Sequence, residues 1–329
     1  MARWVSVEVT IATNIKLRRL ELGLTQDQLA RAIGYRSRSA VAKIESDATD
    51  LPVSKLLLLA QALDTTPERL LEGAGEFSYS DAGSESRATR VDHGQPRVAA
   101  VILAGGRSSR NMRNVPNQFI SILGRPVVDY CMEAYQSHPM VDEIYVVCLE
   151  GFEDIMNAYA RRRKVTKLVK ILPAGKTGVL SARKGYQALC DKGYRPSDIV
   201  VFQESTRPFV TEEMITGLIQ ATREKGSVIT GEVRSDNVQF FQDDNGGLKY
   251  LDRNKIIDLQ SPDAHKISVV RDVFKRADNE GHELVESNIG MLMYNLGFTL
   301  NFREGARNNI KILREEDVAV ATALLKQQG

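Results

Sequence analysis

Residues 99–118 read AAVILAGGRSSRNMRNVPNQ, and the rest of the chain is organised around that stretch. Ala99, Val101, Ile102 and Leu103 belong to an apolar run of the kind a buried strand shows. The run breaks into Gly105-Gly106, small residues that let backbone approach backbone or ligand closely. Arg107, Arg110 and Arg113 follow before Pro116. A strand feeding a glycine turn rich in N–H and guanidinium groups makes a phosphate cradle. The loop has neither the GxGxxG of dinucleotide-binding folds nor the GK[ST] of P-loops. The question it poses is whether a nucleotide triphosphate is processed here or only bound.

Outward from this loop, strands and helices alternate. Val98–Leu103, Glu143–Cys148, Val169–Leu172 and Asp198–Phe202 read as strands. Val127–Gln136, Phe152–Arg162, Gly178–Cys190 and Thr211–Lys225 read as the helices between and after them, the last capped by Thr211 with Glu212-Glu213 at its positive end. This alternation predicts a largely parallel α/β sheet with ligands at the carboxyl ends of the strands. Ser227 to Leu259 holds short strand-like pieces around Gly246-Gly247, read as a β-hairpin arm with Asp243-Asp244 at its tip. Phe298–Asn301 and Asn309–Ile312 are expected to finish the sheet, and Glu315–Lys326 to form a last helix.

The N-terminal stretch has a different period. Ile15, Leu17, Leu20 and Leu22 suggest the apolar face of a first helix ended by Gly23. Thr25 is placed as an N-cap with Gln28 three residues on, a capping box. A third helix starts near Ser37 or Arg38 and runs to Glu45. A fourth, apolar helix follows Pro52 with Ser54 as a cap candidate, and a fifth follows Thr66-Pro67. Short helices joined by short turns fit helix-turn-helix spacing. The expected organisation is a helical domain at 13–72, a flexible Gly/Ser-rich linker at 73–96 and an α/β domain at 97–329.

Bulk properties bound the function classes. The chain has 329 residues, enough for two domains, and a net charge of +2, so any nucleic-acid contact must be local rather than a global basic field. No apolar run is long enough to span a membrane, no signal-peptide pattern is present, and a cytoplasmic location is expected. Cys131, Cys148 and Cys190 lack metal-type spacing and read as reduced, buried apolar residues. His138, His265 and His282 have no acid or Ser/Cys partner at a recognisable spacing, so no triad is expected.

Two resemblances sharpen this reading. GLTQDQLARAIGYRSRSAVAKIE resembles the Cro/phage-repressor-like helix-turn-helix family, over about sixty residues. The resemblance implies that Gln26 contacts the phosphate backbone of a double-stranded DNA operator. Arg36, Ser37, Arg38, Ser39 and Lys43 then face the major groove, where Arg and Lys pair with guanine edges. The turn carries one residue more than the commonest form of the motif, at Tyr35–Ser37. A solvated charged face on a protein-interaction module is the alternative.

From Arg97 to Gly329 the chain resembles the cytidylyltransferase family that includes 2-C-methyl-D-erythritol 4-phosphate and ribitol-5-phosphate cytidylyltransferases. The resemblance implies a nucleotide-transferase (GT-A/Rossmann-like), mostly parallel α/β fold with a β-arm, and transfer of CMP from CTP to a polyol phosphate with Mg2+ and release of pyrophosphate. It carries Arg110, Asn117 and Lys311 onto catalytic positions. Ala104, Gly105, Gly106, Gly175 and Ser181 fall on nucleotide-binding positions. Arg207 and Asp236 fall on substrate-binding positions, and Glu204 on the metal-side acid. Asn117 stands where the family has a lysine, and Gly178 where it has an arginine. By that resemblance the kept residues hold phosphate or base, whereas the lost ones stabilise transition-state charge or hold the metal. Two functions follow: a cytidylyltransferase with a DNA-binding domain, or a transcription regulator whose weakened transferase domain senses CTP or a CDP-alcohol. A structural remnant fused to an interaction module is a third. A homodimer is expected, from the family's β-arm (about Ser235–Leu259) and from two-fold operator reading.

Overall fold

The structure, a computed structural model, describes residues 11–46, 51–71, 95–107, 116–233 and 236–328. Arg110, Arg113 and most of the expected linker lie outside the described residues.

Five helices form the first unit: α1 (Ile11–Glu21), α2 (Gln26–Ala32), α3 (Arg38–Glu45), α4 (Val53–Ala62) and α5 (Pro67–Leu71). The capping box is present: the Thr25 hydroxyl accepts from the Gln28 amide at 3.2 Å, and Gln28 Oε1 accepts from the Thr25 amide at 2.8 Å. Gly34 follows α2 at φ +77°, a left-handed turn suited to glycine. Ser37 caps α3. Ser54 does not cap α4, because Pro52 occupies the N-cap and α4 begins at Val53.

The expected face of α1 needs correction. Ile15 is buried, but Leu20 and Leu22 are exposed, since positions 15, 20 and 22 do not share one helical stripe. The inward stripe instead runs Ile11, Ile15, Arg19. Arg19 forks onto Glu45, Nε to Oε1 at 2.5 Å and Nη2 to Oε2 at 3.0 Å, and donates Nη1 to the Leu24 carbonyl at 2.6 Å. Glu45 also accepts from Gln26 Nε2 at 2.9 Å. This ion pair ties α1 to the end of α3.

The second unit is built on a seven-stranded sheet in the order β11-β7-β10-β6-β1-β4-β5. Its strands are β1 (Val98–Ala104), β4 (Glu143–Cys148), β5 (Leu168–Pro173), β6 (Ile199–Glu204), β7 (Ser227–Val233), β10 (Ile257–Lys266) and β11 (Phe302–Glu304). The short strands β2 (Ser121–Ile122) and β3 (Arg125–Pro126) pair with each other, as do β8 (Gln239–Gln242) and β9 (Leu248–Leu251) in the arm. β1, β4, β5 and β6 run parallel, β11 is parallel to β7, and β10 is antiparallel to both neighbours. The strand-to-strand alternation inside the apolar β1 run decides the layers. Val98, Ala100, Ile102 and Ala104 face α6 (Val127–Ser137), α7 (Glu153–Arg162) and α9 (Glu212–Lys225). Ala99 and Val101 face α8 (Gly178–Asp191), α10 (Ile267–Glu280) and α11 (Ile289–Asn295). α12 (Glu315–Gln328) packs with β2 in a smaller apolar cluster. Among the described residues no helix is long and apolar enough to cross a membrane.

The end of the chain departs from the sequence reading. Residues 298–301 are not strand; the pairing falls on Phe302–Glu304, and residues 309–312 are irregular. β10, α10 and α11 were not foreseen. Cys131 and Cys148 are buried, and burial pushes each thiol up to about 12. Cys190 is exposed rather than buried, because it lies one position past the inward stripe Val179, Ala182, Leu189 of α8.

Replacing Arg19 by Met is expected to destabilise the helical unit by about 3–5 kcal/mol, because it leaves the Glu45 carboxylate buried and uncompensated. Burial acts to raise the Glu45 pKa, but the bonds from Arg19 and Gln26 outweigh it and hold the group below the usual carboxylate range. The pair therefore contributes fully at neutral pH, and its contribution is lost as pH falls through that lowered value. Calorimetry of wild type and Arg19→Met at pH 7 checks the first statement, and a wild-type acid series checks the second.

Candidate active site

The carboxyl ends of β1, β5 and β6 lie on one edge of the sheet, and most of the sequence-derived residues gather there. β1 delivers Ala104, Gly105 and Gly106. A Cβ on Gly105 would sit 2.3 Å from Ala174 Cβ, whereas one on Gly106 would meet nothing within 4 Å. Gly105 thus permits the loop after β1 to touch the loop after β5, while Gly106 borders open space. Arg107 is exposed beside them. Gln118, which is 1% exposed, closes the far end of this loop: its Nε2 donates to the carbonyls of Ala104 at 2.8 Å and Gly106 at 3.2 Å. Asn117 is also buried, and its Nδ2 donates to the Leu313 carbonyl at 3.4 Å.

The second loop precedes α8. Ser181 Oγ accepts from the Gly175 amide at 3.0 Å and donates to the Thr177 carbonyl at 2.9 Å. Its hydroxyl therefore shapes the loop from inside. Lys184 Nζ reaches back from α8 to the Ala174 carbonyl at 3.0 Å. Gly178 has a steric reason: a Cβ there would lie 1.7 Å from the Ser287 carbonyl oxygen. The segment before α11 crosses the start of α8 at this point, where Thr177 Oγ1 donates to the Leu284 carbonyl at 2.8 Å and the Val179 amide to the Glu286 carbonyl at 3.2 Å. Glu286 in turn accepts from His282 Nε2 at 2.6 Å and Asn295 Nδ2 at 2.9 Å.

The third element is an ion cluster. Glu204 ends β6 one register step from the end of β1, paired opposite Leu103. Its Oε2 accepts from Arg207 Nε at 2.8 Å, and its Oε1 from Lys311 Nζ. Arg207 Nη1 also donates to the Asn309 carbonyl at 2.7 Å. Burial acts to raise the Glu204 pKa, but Lys311 and Arg207 outweigh it and keep the carboxyl below its ordinary value. Glu204 is therefore an anion at neutral pH.

Arg207 and Lys311 line a cleft of about 440 Å³ with Glu232, Asp258, Gln260, Arg307 and Asn309. The antiparallel β10 explains the convergence. Asp258 pairs with Glu232 and Leu259 with Gly231, so the amino end of β10 lies on the same sheet edge as the carboxyl ends of β6 and β7. Arg307 bridges Glu232 and Asp236, with Nη2 at 2.5 Å from Asp236 Oδ1. Glu232, Asp258 and Arg307 were missed by sequence reasoning; the register of β7 and β10 reveals the first two, and the ion pairs of Arg307 with Glu232 and Asp236 reveal the third.

The structure brings together Glu204, Arg207 and Lys311, and it places Gly105 against the Ala174–Ser181 loop. Asp236 stands at the cleft rim in its pair with Arg307. Arg110 lies outside the described residues. On the helical unit, Arg36, Ser37, Arg38, Ser39 and Lys43 are all exposed at and after the start of α3. Gln26 is engaged with Glu45, and Arg31 with Asp27 at 2.7 Å.

The expectation that the histidines lack acid or hydroxyl partners is corrected at His282, whose acid is Glu286, and at His265, although no catalytic triad results. His265 has both partners of an acid–imidazole–hydroxyl line: Nδ1 meets Ser227 Oγ at 2.7 Å and Nε2 meets Asp263 Oδ2 at 3.0 Å. Asp263 lies two residues away on β10 itself, and Ser227 lies opposite on β7, distant in sequence, so only the pairing of the two strands completes the line. His265 is 0% and Ser227 5% exposed, so no substrate reaches this hydroxyl; the line braces β7 against β10.

Comparison with known proteins agrees with both units. Residues 98–327 match the family of 2-C-methyl-D-erythritol 4-phosphate cytidylyltransferases, and residues 15–70 match a helix-turn-helix family. A ribitol-5-phosphate cytidylyltransferase of Lacticaseibacillus paracasei is 30% identical over 232 residues, which is 70% of this chain and 99% of that protein. A 2-C-methyl-D-erythritol 4-phosphate cytidylyltransferase of Syntrophus aciditrophicus is 28% identical over 235 residues, 71% of this chain and 98% of that protein. The crystal structure of 4-diphosphocytidyl-2C-methyl-D-erythritol synthase from Anaerococcus prevotii superposes with a TM-score of 0.58 at 22% identity, covering 70% of this chain and 99% of that one, which establishes the fold.

The contact at Gly178 yields a prediction. Gly178→Ala forces the backbone at Ser287 to move, because the obstructing atom is a main-chain oxygen. Overpacking of this kind costs about 1–3 kcal/mol. The expected result is a lowered midpoint in thermal unfolding, together with faster amide exchange at residues 284–288.

Proposed function

From residue 98 to residue 327 the chain belongs to the 2-C-methyl-D-erythritol 4-phosphate cytidylyltransferase family, and on that premise we propose that it transfers CMP from CTP to the phosphate of a polyol phosphate, releasing pyrophosphate. We take 13–72 as the DNA-binding domain, 73–96 as the linker and 97–329 as the transferase domain. The observation that carries the proposal is the Glu204–Arg207–Lys311 cluster on the wall of the cleft, beside the end of β1.

In the proposed reaction an oxygen of the polyol phosphate attacks the α-phosphorus of CTP in line. The new P–O bond forms as the bond to the bridging β-phosphate oxygen breaks, and pyrophosphate leaves with that electron pair. A phosphate monoester is already anionic at pH 7, so no general base is needed. The work of the protein is positioning and charge stabilisation. Gly105, Gly106 and Arg107, with Arg110 further along the loop, cradle the triphosphate. Gly175 and Ser181 shape the loop that meets the base. Arg207 and Lys311 hold phosphoryl oxygens of the two substrates, and Asp236 with Arg307 orders the outer end of the polyol cleft. Asn117 donates a hydrogen bond but supplies no charge.

The donor set at the ion cluster is sparse in carboxylates. Among the described residues no group of three or more His, Cys, Asp and Glu side chains converges. Glu204 is the one carboxylate inside the ion cluster, and both its oxygens already accept from cations. Mg2+ is commonly bound through one or two carboxylates together with substrate phosphates, so this site fits an ion that arrives with the triphosphate. Glu204 would hold it in exchange for Lys311. Such an ion neutralises charge that builds on the phosphates.

A second reading rests on Asn117. A neutral, buried amide directed at the Leu313 carbonyl stands where the resemblance expects a lysine. This favours a regulator that binds CTP or a CDP-alcohol and transfers slowly. On either reading the exposed residues of α3 bind a DNA operator, and two copies associate through the arm. The arm's Phe240, Phe241, Leu248 and Tyr250 are each more than half exposed.

Pure protein mixed with CTP, Mg2+ and either D-ribitol 5-phosphate or 2-C-methyl-D-erythritol 4-phosphate is expected to release pyrophosphate, and Lys311→Ala to lower kcat/KM by about 10²–10³. Binding of CTP without release overturns the transferase and leaves the sensor. For the helical unit, Arg38→Ala is expected to cost about 1–3 kcal/mol of operator binding. Light scattering of the wild-type complex is expected to show two protomers on one duplex; one protomer per duplex overturns the dimer.

A further inference from the structure

Helix α4 carries an apolar residue that its own unit does not use. Leu56, Leu59, Ala60 and Leu63 are buried in the helical core, whereas Leu57 packs against the core of the α/β unit. Helix α5 packs on α7. Leu51 and Pro52, just before α4, line a narrow crevice with Phe119, Gly124, Tyr159 and Arg162. The helical unit therefore meets the transferase fold through α4 and α5.

The place of contact lies behind the nucleotide loop. Phe119 is 1% exposed and stacks on Phe152, the residue before α7, with ring centroids 5.1 Å apart. It belongs to the same short 3₁₀ turn as Asn117 and Gln118. Gln118 holds the carbonyls of Ala104 and Gly106 at the start of the loop. The crevice shared by Phe119, Leu51 and Pro52 thus adjoins the turn through which Gln118 holds the glycine loop. Arg36, Arg38, Ser39 and Lys43 remain exposed in this docked arrangement, so docking leaves α3 free to meet DNA.

Resting on the nucleotide and DNA readings above, we propose that the helical unit docks through α4 and α5 onto the back of the nucleotide loop, so that nucleoside triphosphate occupancy and DNA affinity are coupled. The two states are docked and undocked. Docking fixes α3 relative to the sheet, and in a dimer it would fix the separation of the two α3 helices, which must match the spacing of operator half-sites. A triphosphate shifts this equilibrium by its differential affinity for the two states of the loop. Linkage then requires that DNA change nucleotide affinity by the same factor.

The test uses the full chain and a duplex enriched from a random-sequence pool on the wild-type protein. CTP with Mg2+ at saturation is expected to change the duplex Kd by roughly fivefold or more, and the duplex to change the CTP Kd by the same factor. Leu57→Asp lies outside the helical core and the nucleotide site. It is expected to leave the cooperative unfolding of the helical unit unchanged, to move the CTP Kd to the value of the undocked state, to bring both factors to one, and to speed amide exchange at residues 117–124. CTP and DNA binding that are both present but mutually indifferent overturn the coupling while leaving the function above intact. Coupling that survives Leu57→Asp, or exchange at 117–124 that does not change, overturns the docking route. Absence of CTP binding overturns the nucleotide reading and the coupling together, and isothermal titration of CTP alone identifies that case.

Discussion

The Glu204 carboxylate, gripped by Arg207 on one oxygen and Lys311 on the other, is the constraint that the cleft depends on. It joins the end of β6, the turn that follows it and the segment after β11. Two cations side by side at a strand end repel one another, and an anion between them removes that cost. The arrangement works only because all three partners are present; removing one member of a largely buried ion cluster leaves an uncompensated charge. Arg207 extends the brace by donating to the Asn309 carbonyl, and Asn309 donates to the Ser261 carbonyl at 2.7 Å. The two cations of the cleft wall are in this way held by the same bonds that close the chain's C-terminal segment onto the sheet.

Most of the framework was legible because its signals are local. The apolar β1 run, the Thr25–Gln28 box, the Thr211 cap and the alternation of strands with helices each depend on residues within a few positions of one another. What was not legible depends on pairing across the sheet. β10 opens on the short alternation Ile257-Asp258-Leu259-Gln260 and passes through Ser261-Pro262, Asp263 and His265, a polar stretch in which that period is lost. It is a strand because β6 and β7 flank it and satisfy its backbone groups. Missing β10 meant missing Glu232 and Asp258 as neighbours, and missing the Asp263–His265–Ser227 line. The misplaced final strand has the same origin, since only Phe302–Glu304 lie in register with β7.

The site residues divide in the same way. Gly105 and Gly106 look equivalent as letters, yet only Gly105 has a neighbour that excludes a side chain. Ser181 was assigned to the nucleotide, and its hydroxyl is spent on the loop that carries Gly175. Gly178 looked like the loss of a cation. In the structure it is also a packing requirement, because the backbone at Ser287 occupies the space a side chain would need. A residue absent from a pattern can thus record a new contact as well as a lost function.

The resting ion cluster sets the terms of the proposed chemistry. With Glu204 between them, the cluster of Arg207, Lys311 and Glu204 carries a net charge of plus one rather than plus two, so it would attract a triphosphate less strongly than the two cations alone. A phosphate that recruits Lys311 must first compete with a carboxylate for it. That competition costs binding energy, and it also keeps Lys311 oriented until an anion of sufficient charge arrives. Released from Lys311, Glu204 becomes available as an oxygen donor for a divalent ion held by the same phosphates. Exchange of partners at Glu204, rather than the mere presence of cations, would then separate a cleft that turns CTP over from one that only retains it. In the proposed reaction Asn117 would make that exchange the more demanding, because with no charge at position 117 Lys311 and a bound divalent ion would carry more of the neutralisation of the triphosphate.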